Sequence, residues 1–430
     1  MSEEVIVVRG NGTLSGEVRA SGAKNSALKL IAASVLGQGP TVLRNVPAIS
    51  DIAIMSEVLR RLGATVERDD HVLTLDTTSL NSFETPYDLV SKMRASISIL
   101  GPLVGRFGRA HVAMPGGCQI GARKIDMHLK GLEALGVEFV TEHGFLKASA
   151  PAGLHGAHVA LDFPSVGATE NLLMAAVVAE GVTHIENAAC EPEIEDLAAM
   201  LNAMGARVSG AGTSLIKVEG VPLGSLHPCE HVTCGDRIEA GTFLVGGALT
   251  GGPVTVRGVN PAHLRMALMK LELMGCVVER GDDWVRVSRT EPLRPVDIQT
   301  LPHPGFPTDL QAQFMLLAAL ADGTAVITEN VFENRFMFAA ELMRMGADVA
   351  IEDHHALVRG VRGLQGAPVT STDLRAGAAL VLAGIVAEGE TCVRKVAHID
   401  RGYEGYVQKL RTLGADVERI ELPCVQMPQA

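Results

Sequence analysis

Cys118 has the surroundings that speak most directly of chemistry. It lies in PGGCQIGARK, a glycine-rich stretch with Arg123 and Lys124 close by in the chain. Nearby cations lower a thiol pKa and make the sulfur a usable acid or nucleophile. The stretch alone leaves both a reactive thiol and an ordinary exposed one open. Other charged residues recur at regular places. Lys24 (SGAKNS), Arg94 (SKMRAS), Arg237 (GDRIEAGT), Asp309 (FPTDLQ) and Arg375 (TDLRAG) fall in the loop before an apolar helical stretch, 14 or 15 residues ahead of its closing glycine. Residues 165–171 (SVGATEN) hold the matching place less regularly. A second set, Arg123, Arg335 (VFENRF) and Arg401 (HIDRGYE), follows the next strand. Arg grips phosphate or carboxylate through two parallel hydrogen bonds. Helix starts add unpaired N–H groups and a positive dipole end. Together they suit a polyanionic ligand. A surface carboxylate partner would explain any one Arg; their shared place in a repeat argues for the set.

The elements that must position these groups come from that repeat. A helical stretch, then Leu or Met, then Gly, then a strand reads VLRRLGATVE at Gly63 and GLEALGVEFV at Gly136. It returns at Gly205, Gly275, Gly346 and Gly414, at intervals of 73, 69, 70, 71 and 68 residues. Each Gly suits a helix C′ position with positive φ. An interleaved pattern, an Ala/Leu/Val helix closed by Gly and followed by a strand, marks Gly39, Gly108, Gly181, Gly252, Gly323 and Gly389. Two markers at one period indicate six copies of one unit. Each unit reads helix, strand, helix, strand, turn, strand. The first helix is apolar all round and belongs inside; the second is amphipathic, with Val58, Leu59 and Leu62 against Glu57, Arg60 and Arg61. The fold class is α/β, with two domains of three repeats facing each other across a cleft. The opening VIVVRGNGTLSGEVRASGA resembles the end of a unit that lacks its start, so both termini belong to one domain. The expected domains are 24–232, and 1–23 plus 233–430.

Composition bounds the function. The chain has 430 residues, net charge −12, and only 11 Phe, 3 Tyr and 1 Trp. A general nucleic-acid binder needs a basic surface and stacking platforms, and neither is visible. The start MSEEVIVVRG lacks the basic region of a secretory signal. The longest apolar run, Ala378 to Ala387, is far below the ~20 residues that span a bilayer. The expectation is a soluble, cytoplasmic protein without membrane insertion. Seven scattered cysteines fit free thiols in a reducing compartment. Cys190, Cys276 and Cys392 read as inert core residues. In HPCEHVTC, residues His227, Cys229, His231 and Cys234 crowd too tightly for an ordinary closed zinc site and read as a linker. His354-His355 reads as a hairpin tip. The lone GNG near Gly10 lacks the context of a dinucleotide site.

Seven segments carry a resemblance to a known family: SGAKNSALK, PGGCQIGARKIDMH, FPSVGATEN, GFPTDLQAQ, ITENVFENRF, STDLRAGAA and HIDRGYE. They resemble the UDP-N-acetylglucosamine 1-carboxyvinyltransferase family of enolpyruvyl transferases, and the likeness spans essentially the whole chain. It implies a pair of inside-out α/β domains with three pseudo-repeats each. It also implies transfer of the enolpyruvyl group of phosphoenolpyruvate to the 3-hydroxyl of UDP-N-acetylglucosamine, with release of phosphate, in peptidoglycan synthesis. The partners would be those two small molecules. The chemistry calls for an acid, a base and fixed cations, with no metal and no organic cofactor.

The resemblance assigns roles residue by residue. Lys24, Asn25, Arg123 and Arg401 would hold phosphoenolpyruvate. Cys118 would be the proton donor and the thiol alkylated by fosfomycin, the family's inhibitor. Asp309 would be the base on the sugar hydroxyl. Arg94, Arg123, Lys124, Ile125, Asp126, Met127, Phe163, Pro164, Ser165, Val166, Asp309 and Val331 would line the UDP-sugar site. Arg335 and Arg375 would complete the cationic surroundings. Lys124 stands where many members have Pro, and Phe163 where some have a basic residue. The sister enzyme of the shikimate pathway lacks the Cys-bearing PGGCQIG stretch and the FPSVGATEN segment. A non-catalytic paralogue would be expected to have lost at least one of Lys24, Cys118, Arg123, Asp309 and Arg401.

Overall fold

The computed structural model describes residues 2–90, 93–114 and 125–423. They form two compact units. The central unit comprises 22–90, 93–114 and 125–234; the terminal unit comprises 2–21 and 235–423. Each has its own apolar core.

Three inner helices run through each unit. In the central unit they are Lys24–Ala33, Leu100–Phe107 and Val166–Ala176. In the terminal unit they are Arg237–Thr250, Gln311–Ala319 and Leu374–Val386. Their sequences are rich in Ala, Gly, Leu and Val with little polar face, so burial is the only stable place for them. In Leu374–Val386, eleven of thirteen residues are buried, from Arg375 to Ile385. Each such Leu, Val or Ile contributes about 1.5–3 kcal/mol relative to exposure. Side-chain caps start three of them: Ser165 accepts from the Ala168 N–H, Asp236 from Ile238 and Glu239, and Asp373 from Arg375 and Ala376.

The outer helices are amphipathic, as in Ser50–Arg61, where Val58 and Leu59 are buried and Arg60 and Arg61 exposed. The six repeat glycines that follow the outer helices all have φ between 94° and 105°, so each ends its helix as a left-handed turn. In the fourth repeat the inner helix is closed by Gly251 (φ 80°) rather than by the expected Gly252.

Outside the helices lie small sheets whose strands alternate exposed and buried residues, one face to the helices and one to water. A typical sheet has Pro40–Arg44 antiparallel to Val72–Asp76, which pairs antiparallel with Thr65–Asp69. A fourth strand of two to four residues, absent from the expected repeat, runs parallel at the edge. His158–Ala160, Ile298–Gln299 and Pro368–Thr370 take this place beside the next strand of their own repeats. Strands this short carry no readable alternation. In the remaining sheet, Arg109–Ala113, Phe145–Ser149 and Glu138–Glu142 form three strands, with a parallel bridge from Glu84 to His111 at the edge.

The N-terminal strand Ser2–Arg9 pairs antiparallel with both Glu390–Arg394 and Asp416–Pro423. It supplies the third strand of the sixth repeat and closes the terminal unit around both ends of the chain. The edge strand Gly16–Arg19 pairs with Val254–Arg257, and Glu230–Val232 with Pro40–Arg44. Just beyond them the chain passes between units at 21–22 and 234–235. There the Ala23 N–H donates to the Cys234 carbonyl (2.7 Å) and the Asp236 N–H to the Ser21 carbonyl (2.8 Å).

Candidate active site

In the terminal unit, the starts of the three inner helices gather polar residues at one end. Asp309 lies in the single turn Thr308–Leu310 that leads into Gln311–Ala319. Arg375 is the second residue of its helix, and Arg335 lies in the segment between a strand and the outer helix Ala339–Arg344. Arg335 Nη2 is 2.8 Å from Asp309 Oδ1; Arg375 Nη2 and Nε are each 3.2 Å from Oδ2. The arginine side chains are only 5% and 3% exposed, whereas that of Asp309 is 26% exposed. The carboxylate is thus held from beneath by two buried cations and keeps a face toward solvent.

Arg375 is supported in turn. Its guanidinium lies 5.2 Å from the Tyr403 ring centroid, a cation–π contact. The Tyr403 hydroxyl meets Thr242 Oγ1 at 2.9 Å, and Gln313 Nε2 donates to Thr242 (3.1 Å) and to the Arg375 carbonyl (3.4 Å). Burial opposes the Arg375 charge, but Tyr403, Asp309 and Asp236 hold its pKa above the ordinary guanidinium value. Arg401 ends the turn Val396–Arg401, two residues before Tyr403. Burial, then the field of Arg401, push His398 below the usual imidazole value. Val331 is half-buried and its N–H donates to Glu329 at 2.8 Å.

In the central unit, Lys24 and Asn25 occupy the first turn of Lys24–Ala33, which has no side-chain cap. Lys24 Nζ is 2.9 Å from Asp51 Oδ2, with the two side chains 10% and 1% exposed. Two residues on, the Ser26 hydroxyl donates to Asp196, which also accepts from His231 Nε2 at 2.8 Å and the Cys234 N–H at 3.2 Å. Arg94 opens the turn Arg94–Ile99, which packs against the helix that carries Lys24.

Asn171 ties three candidate segments together. Its Oδ1 accepts from the Gly101 N–H (2.8 Å), its Nδ2 donates to the Ile97 carbonyl (3.0 Å), and Nδ2 lies 2.9 Å from His128 Nδ1. The His128 ring sits where a Cβ at Gly167 would come within 3.0 Å of it, so glycine there permits the approach. These bonds link the turn that Arg94 opens, the helix Asp126–Ala134 and the helix Val166–Ala176 around one buried amide. Ile125, Met127, Pro164, Ser165 and Val166 are half-buried; Asp126 and Phe163 are exposed. Cys118, Arg123 and Lys124 lie outside the described residues.

Several expected loop residues stand instead within a helical first turn: Lys24 and Arg237 are the first residues of their helices, and Arg375 is the second. The alternating polar and apolar residues there conceal where the helix begins. Of the three cysteines assigned to the core, Cys276 is buried while Cys190 and Cys392 are half-buried. In HPCEHVTC, residues Glu230–Val232 form the edge strand and His231 bonds Asp196. Asp51, Tyr403, Asn171 and His128 were not singled out from sequence. Only Tyr403, Asn171 and His128 lie in motifs already noted; Asp51 carries no local signal.

Inner helices wrapped by small sheets are the fold of enolpyruvyl transferases of known structure. The family profile of EPSP synthase (3-phosphoshikimate 1-carboxyvinyltransferase) matches residues 8–410, and the chain belongs to that family. Within it, the chain is 49% identical over 416 residues to UDP-N-acetylglucosamine 1-carboxyvinyltransferase of Psychrobacter sp. (strain PRwf-1), covering 96% of each. It is 52% identical over 418 residues to UDP-N-acetylglucosamine 1-carboxyvinyltransferase 1 of Staphylococcus aureus (strain MRSA252), covering 96% of this chain and 99% of that one. Among solved structures, the enolpyruvyl transferase NikO of Streptomyces tendae matches with TM-score 0.89 at 30% identity, over 98% of this chain and 100% of its own. EPSP synthase of Acinetobacter baumannii, at 19% identity and TM-score 0.75 over 97% of this chain and 100% of that one, shares the fold.

Proposed function

We propose that this protein transfers the enolpyruvyl group of phosphoenolpyruvate to the 3-hydroxyl of UDP-N-acetylglucosamine and releases phosphate, the first committed step of peptidoglycan synthesis. The observation that carries this reading is Asp309 held between Arg335 and Arg375, in a chain about half identical to proteins named for that reaction. The chemistry is addition followed by elimination. Protonation of the phosphoenolpyruvate methylene makes C2 electrophilic. The sugar oxygen attacks C2 as its proton passes to a base. Loss of phosphate and of a methyl proton then restores the double bond.

In this reading Cys118 delivers the first proton and Asp309 receives the hydroxyl proton. Lys24, Asn25, Arg123 and Arg401 hold the phosphate and carboxylate of phosphoenolpyruvate. The nucleotide sugar lies against Arg94, 123–127, 163–166, Asp309 and Val331. Arg335 and Arg375 offset the charge that develops as phosphate leaves. We place the reaction in the cytoplasm, where phosphoenolpyruvate is made. Mass spectrometry after incubation with both substrates tests the reading. The expected product is the 3-O-enolpyruvyl ether of the nucleotide sugar, and unmodified UDP-N-acetylglucosamine would sink it.

A further inference from the structure

Glu329 has no part in the reaction as set out above, yet its contacts converge on the groups that do. It follows the strand Thr324–Thr328 and is 3% exposed. Its Oε1 accepts from the Thr300 hydroxyl (2.9 Å) and from the N–H groups of Val331 (2.8 Å) and Phe332 (3.1 Å). Its Oε2 accepts from the Thr308 hydroxyl at 2.8 Å. That same hydroxyl accepts from Arg335 Nη1 at 3.0 Å, while Arg335 Nη2 holds Asp309. Phe332, whose N–H Glu329 fixes, places its ring 5.2 Å from the Arg335 guanidinium.

The direction of these bonds matters. A carboxylate only accepts, so Thr308 must turn its hydrogen toward Glu329 and present a lone pair to Arg335. One buried acid thus orients the oxygen that steers Arg335 and anchors the ring beside it. Charge points the same way. Arg335 and Arg375 carry two positive charges; Asp309 and Glu329 carry two negative ones. A buried cation left uncompensated is expensive, and Glu329 completes the balance without touching Asp309.

We propose that Glu329 is a positioning residue for the transfer reaction: through Thr308 and Phe332 it fixes the Arg335 guanidinium against Asp309. This rests on the reaction proposed above. Four variants test it: Glu329→Gln, Thr308→Val, Thr308→Ser, and the double Glu329→Gln/Thr308→Val. Thr308 is half-buried and Val matches its shape, so this variant keeps the test decisive should Glu329→Gln fold poorly.

Steady-state phosphate release is expected to show kcat lowered on the order of 100-fold in Thr308→Val and Glu329→Gln, the cost of a catalytic group displaced by about 1 Å. Calorimetry should find UDP-N-acetylglucosamine affinity of Thr308→Val within about threefold of the parent, and Thr308→Ser should restore kcat. Residues acting along one path are not additive, so the double variant should lose little beyond the worse single variant. Normal kcat in Thr308→Val, or a double-variant loss equal to the product of the single losses, would overturn the inference. An unsubstituted protein that releases no phosphate would overturn the reaction itself, a distinct result seen before any substitution.

Discussion

Asp309 is placed by two side chains far from it in sequence, and its chemistry depends on them. Amidation keeps its size and removes its capacity to take a proton. Asp309→Asn should therefore lower kcat by about 100-fold or more, the scale of a lost general base. Nucleotide-sugar affinity, measured calorimetrically, should stay within a few-fold. Near-normal turnover would move the base to another group. The cysteines allow a second test. Burial raises the thiol pKa of Cys190, Cys229, Cys234 and Cys392, and that of Cys276 to about 11. At neutral pH these five offer little thiolate, the reacting form. Fosfomycin, an epoxide that also carries a phosphonate, should therefore alkylate Cys118 and spare them, and phosphoenolpyruvate should protect. Peptide mapping that finds label spread over Cys229 or Cys190, or no protection, would contradict this. Asp309, Arg335 and Arg375 were legible in sequence because the repeat put them at comparable places. Their supports were not: Tyr403 and Thr242 meet across 161 positions, a proximity that only folding creates.

At the scale of elements, the inner helices were plain from composition, and the left-handed glycines after the outer helices were plain from their period. The short parallel edge strands were not, because two to four residues give no pattern to read. Helix starts were also blurred, which is why Lys24 was expected in a loop. Asn171 shows what element packing adds. Asn171→Leu keeps the branched shape but strands the Gly101 N–H in the core and removes the bonds to the Ile97 carbonyl, which keeps its bond from the Leu100 N–H, and to His128. Chemical denaturation should show a loss of about 1–3 kcal/mol, from one buried N–H left unpaired. Affinity for the nucleotide sugar should fall more than that for phosphoenolpyruvate, since the segments tied by Asn171 are those assigned to the sugar. Stability within 0.5 kcal/mol of the parent, against an uncertainty of about that size, would deny Asn171 this role.

Glu170, on the same inner helix, predicts a pH dependence. Burial pushes its pKa up to about 7, with Lys29 at 2.6 Å opposing and Glu193 and Glu191 adding to the rise. The folded protein therefore holds this proton more tightly than the unfolded chain does. Its contribution to stability is full below about 4.5, the ordinary glutamate range, and is lost as pH rises toward 7. Relative to Glu170→Gln, which mimics the protonated form, the parent should lose unfolding free energy between about pH 5 and pH 7. A difference that is flat, or that grows with pH, would show that Lys29 outweighs burial.

The whole molecule is six related units closed into two groups of three, with the first strand of the chain completing the last unit. Six units were countable in the sequence because two markers recur at one period. The closure was legible because the opening residues look like the end of a repeat. This architecture is shared with EPSP synthase at 19% identity, so fold alone does not choose the acceptor. The choice rests on the site residues and on relatives about half identical. The most direct measurement is phosphate release from phosphoenolpyruvate, with UDP-N-acetylglucosamine and shikimate 3-phosphate offered in parallel at matched concentrations. The account predicts saturable release with UDP-N-acetylglucosamine and none above background with shikimate 3-phosphate. Release with shikimate 3-phosphate alone, or with neither acceptor, would contradict it.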